Sequence, residues 1–586
     1  MRARFVSLVP FFALSIACGA APTPSTPPSP VPSLATTVAA ASPATSPMPA
    51  APAPLGEITF PITGAPECQR LFREGALAMH SFLYDQAHES FVAALAADPS
   101  CAMAAWGDAM TFDHPVWHER DLPKGRAALA KVTREDSLTP KERAFLSMAR
   151  ELFAKDDGKQ AHTAWLASAE KMHAEFPNDE EVALQHALAL IAVYGYDPTH
   201  VREQMDAGSI ALAVLQRHPE HPGAAHYAIH AFDSRDHAIL ALAAARTYAR
   251  IAPAAGHALH MPSHTFVHLG MWRDVVPSNE KAYAASVAWE KSRGHSASKY
   301  DSHSYSWLVA AHLELGQHAR ARQLVDDARA MVVAATDDSG DLRFDYSNVV
   351  ADYVVQTGRW SDVEALVAPL FATMPDEGHE AGGPVACASH APGGAGNTRM
   401  PSALFARMTA HVLRAEAAIR SGDTGAAEKR VADMRAVRAQ MGPWAKMQSP
   451  SYARRSEALD EALLARARGG SKPTADATKK ALEALDRLVR ADDARPVAGP
   501  AWLEPPRETY GNALLAAGRA KDALAHFERD LEQRPNRALA LLGAARAAKA
   551  TGDATLAQAR YAALNELWRD ADAGIAVRAE VRDGAK

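Results

Sequence analysis

The stretch "HALHMPSHTFVHLGMW" at 257–272 places imidazoles at His257, His260, His264 and His268. At about 100° per residue these four fall within roughly 80° of one another on a helix, on a stripe that usually carries leucines facing a core. Upstream, "HPGAAHYAIHAFD" adds His226 and His230, and "DSHSYSW" adds His303. Neutral imidazole is the commonest ligand for zinc, copper, nickel and iron. An i, i+4 pair such as His226/His230 or His260/His264 can hold one ion from one helical face. Two such pairs on adjacent helices supply four ligands, or three and an open position. Asp233, Asp236, Asp274, Glu280 and Asp301 are the carboxylates near enough in sequence to orient the rings. No cysteine lies nearby, which excludes a thiolate zinc site there, and neither CxxCH nor HExxH occurs.

The elements that must position these residues show best where the chain repeats. "FLYDQAHESFVAALAADPSCAMAAWGDAM" (82–110) spaces Tyr84, Ala87, Phe91, Ala94 and Pro99 as a tetratricopeptide repeat does. Its alanines let two antiparallel helices approach, and its proline ends the second helix. "GNALLAAGRAKDALAHFERDLEQRPNRALALLGAARAAKATGD" (511–553) repeats the pattern with Gly518, Ala523, Phe527 and Pro535. Degenerate copies lie at 312–331, 353–370 and 415–434, and no segment sustains strand alternation. The expected fold is all-α, an α-solenoid of tetratricopeptide-type helical hairpins.

Beyond the generic motif, "CQRLFREGALAMHSFLYDQAHESF", "HPGAAHYAIHAFD", "HALHMPSHTFVHLGMW" and "LEPPRETYGNALLAAGR" resemble a family of long bacterial tetratricopeptide-repeat proteins, over residues 66 to 570. That family has no settled activity, so the resemblance implies a fold and little about function.

Repeat register changes what the histidines mean. The first helix of each hairpin lines a concave groove through positions 2, 5, 9 and 13. With Gly270 and Trp272 at positions 15 and 17, His257, His260, His264 and His268 occupy those four places. His226 and His230 fall at 5 and 9 of the preceding repeat, each 34 residues before His260 and His264, and His303 falls at position 2 of the following one. Adjacent helix axes sit about 8–10 Å apart, so these seven side chains from three consecutive helices can converge. Three readings stand: a metal site using zinc, copper or iron; a groove whose imidazoles bond to one another and to water; and a site for an extended peptide or acidic tail. The metal reading is taken first. Pro262 falls inside or at the first turn of the helix that carries this stripe, where it frees a carbonyl and kinks the axis. His80, Trp106, His114 and Trp117, with Tyr84, form a second candidate pocket near the N-terminal repeat.

The flanks suggest a location. "MRARFVSLVPFFALSIACGA" has two arginines and a short apolar run, the pattern of an export signal (1–17) ending before Cys18. "LSIAC" resembles a bacterial lipoprotein signal with Cys18 as the lipidated residue, although Ser15 holds the place usually taken by leucine. A Pro/Ala/Ser/Thr-rich, disordered tether (18–56) follows. The remaining divisions are a superhelix with the histidine groove (57–374), a glycine-rich loop (375–401), hairpins (402–467), a polar linker (468–480), a C-terminal pair of repeats (481–570) and a tail (571–586). Cys68 and Cys101, 33 residues apart, are either a disulfide on stacked helices or two buried thiols, and Cys387 is left over.

Net charge is −6 with no basic block, so nucleic acid is not an expected partner. No apolar run of 18 residues follows the export signal. The expected function is an exported scaffold of the bacterial cell envelope, in the periplasm or on the outer membrane and held to the membrane by its lipid. It binds a protein or peptide in its groove and carries a histidine-ligated ion. The competing class is a metal-dependent enzyme using residues 226–303 as an open-coordination site.

Overall fold

The computed structural model describes residues 54–195, 197, 199–335, 340–371, 401–442, 450–493 and 505–586. The expected export signal, Cys18, Cys387 and residues 375–400 lie outside the described residues, as does the tether up to residue 53. Residues 54–65 are not helical, and they lie along the body. Leu55 and Ile58 pack on the core, and Glu57 N–H donates to Glu220 O at 2.9 Å.

From Pro66 on, antiparallel helices follow one another, each packed on the next. The chain is a helical-repeat solenoid of the tetratricopeptide type. The hairpin geometry follows from glycines placed opposite one aromatic ring. Phe91 seats between Gly75 and Gly107, where an added Cβ would come within 2.8 and 2.4 Å of its ring. Phe527 seats in the same way between Gly511 and Gly543 at the other end of the chain. In both places the aromatic stands sixteen residues from each glycine (75, 91, 107 and 511, 527, 543). A side chain at any of the four would force the helices apart, which close-packed interiors do not accommodate cheaply. The only strands among the described residues are a two-residue ribbon pairing Asp113–His114 with Glu119–Arg120.

Cys68 and Cys101 are joined in a disulfide that ties the first helix to the start of the third. A loop of that length stabilises the folded chain by about 3–4 kcal/mol in the chain-entropy account. The polar segment 468–480 shrinks to a short break between the helices Pro450–Gly469 and Ala475–Asp493.

The solenoid also returns on itself. Trp272 Nε1–H donates to Asn536 O at 3.1 Å, Trp568 Nε1–H donates to Glu314 O at 3.0 Å, and Asp572 N–H donates to Gly316 O at 3.0 Å. At the centre of this seam the buried Arg537 guanidinium bonds Glu314 (2.7 Å) and Glu508. The C-terminal repeats therefore cover the turns of the histidine-bearing repeats instead of continuing away from them. No described helix is long and apolar enough to cross a membrane.

Candidate metal centre

Three alternate helices deliver the histidines: Pro222–Ala231, the broken helix Gly256–His260 and Pro262–His268, and Ser302–Glu314. Pro262 is the first residue of the second half of the broken helix, and Met261, still helical, joins the halves. Met261 N–H still donates to His257 O (2.9 Å), and Met261 keeps helical φ and ψ, so the backbone passes the proline in helical conformation. The stripe of imidazoles continues across it.

The rings do not line an open groove. His226, His230, His260, His264, His268 and His303 are all buried, the most exposed by 6 %, and His257 is partly covered. They sort into two groups of three whose ligand nitrogens lie within 4.8 Å of one another, His226/His230/His257 and His260/His264/His303. His268 stands behind the second group, its Nε2 3.1 Å from Asp233 Oδ1. Phe82 packs on all three rings of the first group, at 4.3, 5.6 and 5.6 Å between centroids. Trp307 does the same for the second, at 5.0, 4.6 and 5.4 Å. Phe82 holds a left-handed backbone (φ 54°), a strain of order 1–3 kcal/mol for a non-glycine residue.

Hydrogen-bond partners assign the protons. His264 Nδ1 lies 2.8 Å from Asp233 Oδ2, an acceptor, so Nδ1 carries the hydrogen. Asn279 Nδ2–H donates to Val275 O, which turns Asn279 Oδ1 toward His260 Nδ1 at 2.6 Å, so that nitrogen carries its hydrogen too. The two Nε2 atoms face each other at 3.1 Å. Two nitrogens on one tetrahedral ion, each at ~2.0–2.1 Å from it, stand ~3.3 Å apart. Burial would raise the Asp233 carboxyl, but His264 and His268 against it hold it well below the ordinary carboxylate range. An ionised carboxylate behind a ligating imidazole raises the ring's basicity and fixes its orientation.

In the first group His226 Nδ1–H donates to His80 O (2.7 Å), leaving its Nε2 lone pair 2.9 Å from His257 Nε2. Burial, with other imidazoles nearby, pushes His226 down to about 3 and His257 well below its ordinary value. Both rings are neutral at pH 7, as a ligand must be.

His80 belongs to a third buried cluster. Its Nε2 faces Glu181 Oε2 at 2.9 Å and its Nδ1 faces Tyr227 OH at 3.1 Å. His221 Nδ1 accepts from Ala224 N–H, so its Nε2–H points at Glu181 Oε1, 3.4 Å away. Gly223 makes the room, since a Cβ there would lie 2.2 Å from His80 Nδ1. Burial would raise Glu181, but the His80 charge and the hydrogen bonds from both rings bring it down to about 2. Beside this cluster is a cavity of about 20 Å³ for water centres, lined by His80, Trp106, Phe82, Glu181 and Tyr227 among others, room for about one water. His114 and Trp117 do not line it. They pack behind it, His114 on Tyr84 (4.0 Å) and Trp117 on Phe82 (5.5 Å).

Glu181, His221, Asn279, Phe82 and Trp307 were not marked by the sequence. Of the carboxylates it did mark, Asp233 serves the rings and Asp301 caps its helix by accepting from Ser304 N–H.

No family model and no curated protein matches the chain. Among solved structures it is similar to human IFIT1, solved as a dimer with PPP-AAAA (13% identity, 85% of this chain and 89% of that one, TM-score 0.34). It is also similar to yeast Tom70 (12%, 85% and 90%, TM-score 0.31). A third is Naa15/Naa10 bound to HypK-THB (12%, 88% and 72%, TM-score 0.22).

Proposed function

We propose that this helical-repeat scaffold holds a transition-metal ion (zinc, copper or iron) on His260, His264 and His303. The observation that carries the reading is the convergence of three buried imidazoles whose ligand nitrogens lie within 4.8 Å of one another, with His260 Nε2 and His264 Nε2 3.1 Å apart. Placement in the cell envelope and attachment through Cys18 rest on the signal-like N-terminus alone. The partner reading is supported by the scaffold class and by the chain's net charge of −6, which favours a protein over nucleic acid. The imidazoles are buried, so a peptide partner docks on another face, and the ion has a structural or chemical role inside the scaffold.

The enzyme reading has one observation in its favour. Phe82 lies between the first histidine group and the cavity at His80, so a small molecule in that cavity would sit one ring away from the centre. At about 20 Å³ the cavity suits a water-sized species.

The test is elemental analysis of the purified full chain after dialysis, beside His260→Ala/His264→Ala. We expect a transition metal that survives dialysis and is lost in the variant. A chain that stays metal-free after equilibration with zinc, copper and iron would sink the reading.

A further inference from the structure

The second histidine group repeats the construction of the first. His226 and His230 stand one turn apart at positions 5 and 9 of their helix, and His257 stands at position 2 of the next repeat. His260 and His264 occupy 5 and 9 of that repeat, and His303 occupies 2 of the one after. Each triad is thus an i, i+4 pair plus the first groove-facing residue of the following repeat. No ligand is shared, and each triad has its own aromatic ring over it, Phe82 or Trp307. In each, a ring of the pair has its Nδ1 hydrogen committed to an oxygen outside the triad, His80 O for His226 and Asp233 for His264. The triads also adjoin, since His257 of the first and His260 of the second stand about one turn apart on the same helix, Gly256–His260.

We infer that the centre is dinuclear, with one cuprous ion on His226, His230 and His257 and a second on His260, His264 and His303. This rests on the metal reading above and extends it. All six ligands are imidazoles, which bind a metal as neutral donors, and Asp233 touches one of them, His264. The cost of burying charge grows with its square, so two monocations are far cheaper here than two dications. The described residues assemble three imidazoles at each triad, one short of the four protein ligands of a structural zinc site though enough for an open one. Imidazole serves copper as it serves zinc and iron, so the cost of buried charge decides the choice.

The test is anaerobic titration of the metal-free full chain with Cu(I) against a chromophoric cuprous chelator, with native mass spectrometry for stoichiometry. The expected result is two equivalents per chain, falling to one in His230→Gln and to one in His303→Gln. Circular dichroism checks that each variant folds. Copper K-edge absorption of the wild-type chain gives three nitrogen neighbours per copper, whatever the variants do. One equivalent in wild type, lost in His303→Gln and kept in His230→Gln, overturns the pair and leaves the single-ion reading standing. Two equivalents retained by both variants would place the copper elsewhere and overturn the inference. Zinc binding with no cuprous binding overturns the choice of ion. A chain that binds no metal at all overturns both readings.

Discussion

Two buried histidine clusters lie in the same solenoid, and their carboxylates stand in opposite places. Around Glu181 the carboxylate is inside the cluster: Oε2 lies 2.9 Å from His80 Nε2, Oε1 lies 3.4 Å from His221 Nε2, and Tyr227 OH faces the other His80 nitrogen. Around His260 and His264 the Nδ1 atoms face outward, to Asn279 and Asp233, and the Nε2 atoms face each other. Histidines brought together and buried are thus no sign of a metal by themselves. The difference lies in where the charge sits, between the rings at Glu181 and behind them at Asp233.

The contrast breaks most visibly when the carboxylate is removed from the Glu181 cluster. Glu181→Ala leaves two buried imidazoles without their acceptor and should cost about 3–5 kcal/mol, seen as a large fall in melting temperature that added metal does not restore. The opposite behaviour is expected at the ligand set. Saturating metal at about a thousand times its Kd should stabilise the wild-type chain by about 4 kcal/mol, and calorimetry should show that gain absent in His264→Ala.

Acid sharpens the comparison from the other side. Glu181 has its folded value lowered to about 2, so its stabilisation is fully present above the ordinary carboxyl range near 4.5 and is lost as pH falls through about 2. That contribution is of order 3 kcal/mol. Urea melts between pH 5 and 2 should therefore flatten in Glu181→Gln relative to wild type. The smallest effect belongs to Asp233→Asn, which keeps shape and loses charge behind His264 and His268. Metal affinity measured by competition should drop 10–100-fold, and the metal-free melting temperature should fall as well, since the buried carboxylate also pairs His264 and His268.

Much of this was legible in the sequence. The 34-residue offset between His226/His230 and His260/His264 placed both pairs at the same repeat positions, and His257 and His303 fell at position 2 of their repeats, but the division into two triads is seen only in the structure. The all-α solenoid followed from the alanine, glycine and aromatic spacing at its two ends. The open groove did not survive, because the rings cover one another beneath Phe82 and Trp307, and Phe82 comes from a tight turn with no repeat signature. The His80–Glu181 pairing spans 101 residues, and Glu181 sits in "NDEEVALQH", which reads as the solvated start of a helix. Asn279 was hidden for a similar reason, since nothing local marks an amide whose partner is set by tertiary packing.

The central claim is that the Nε2 atoms of His260 and His264 converge on a cation. Anomalous diffraction from crystals of the chain equilibrated with copper or zinc tests it most directly. The account predicts a peak about 2.0–2.1 Å from both Nε2 atoms, with His303 completing the set. Two well-ordered rings at hydrogen-bonding distance, with no anomalous scatterer between them after equilibration, would contradict it.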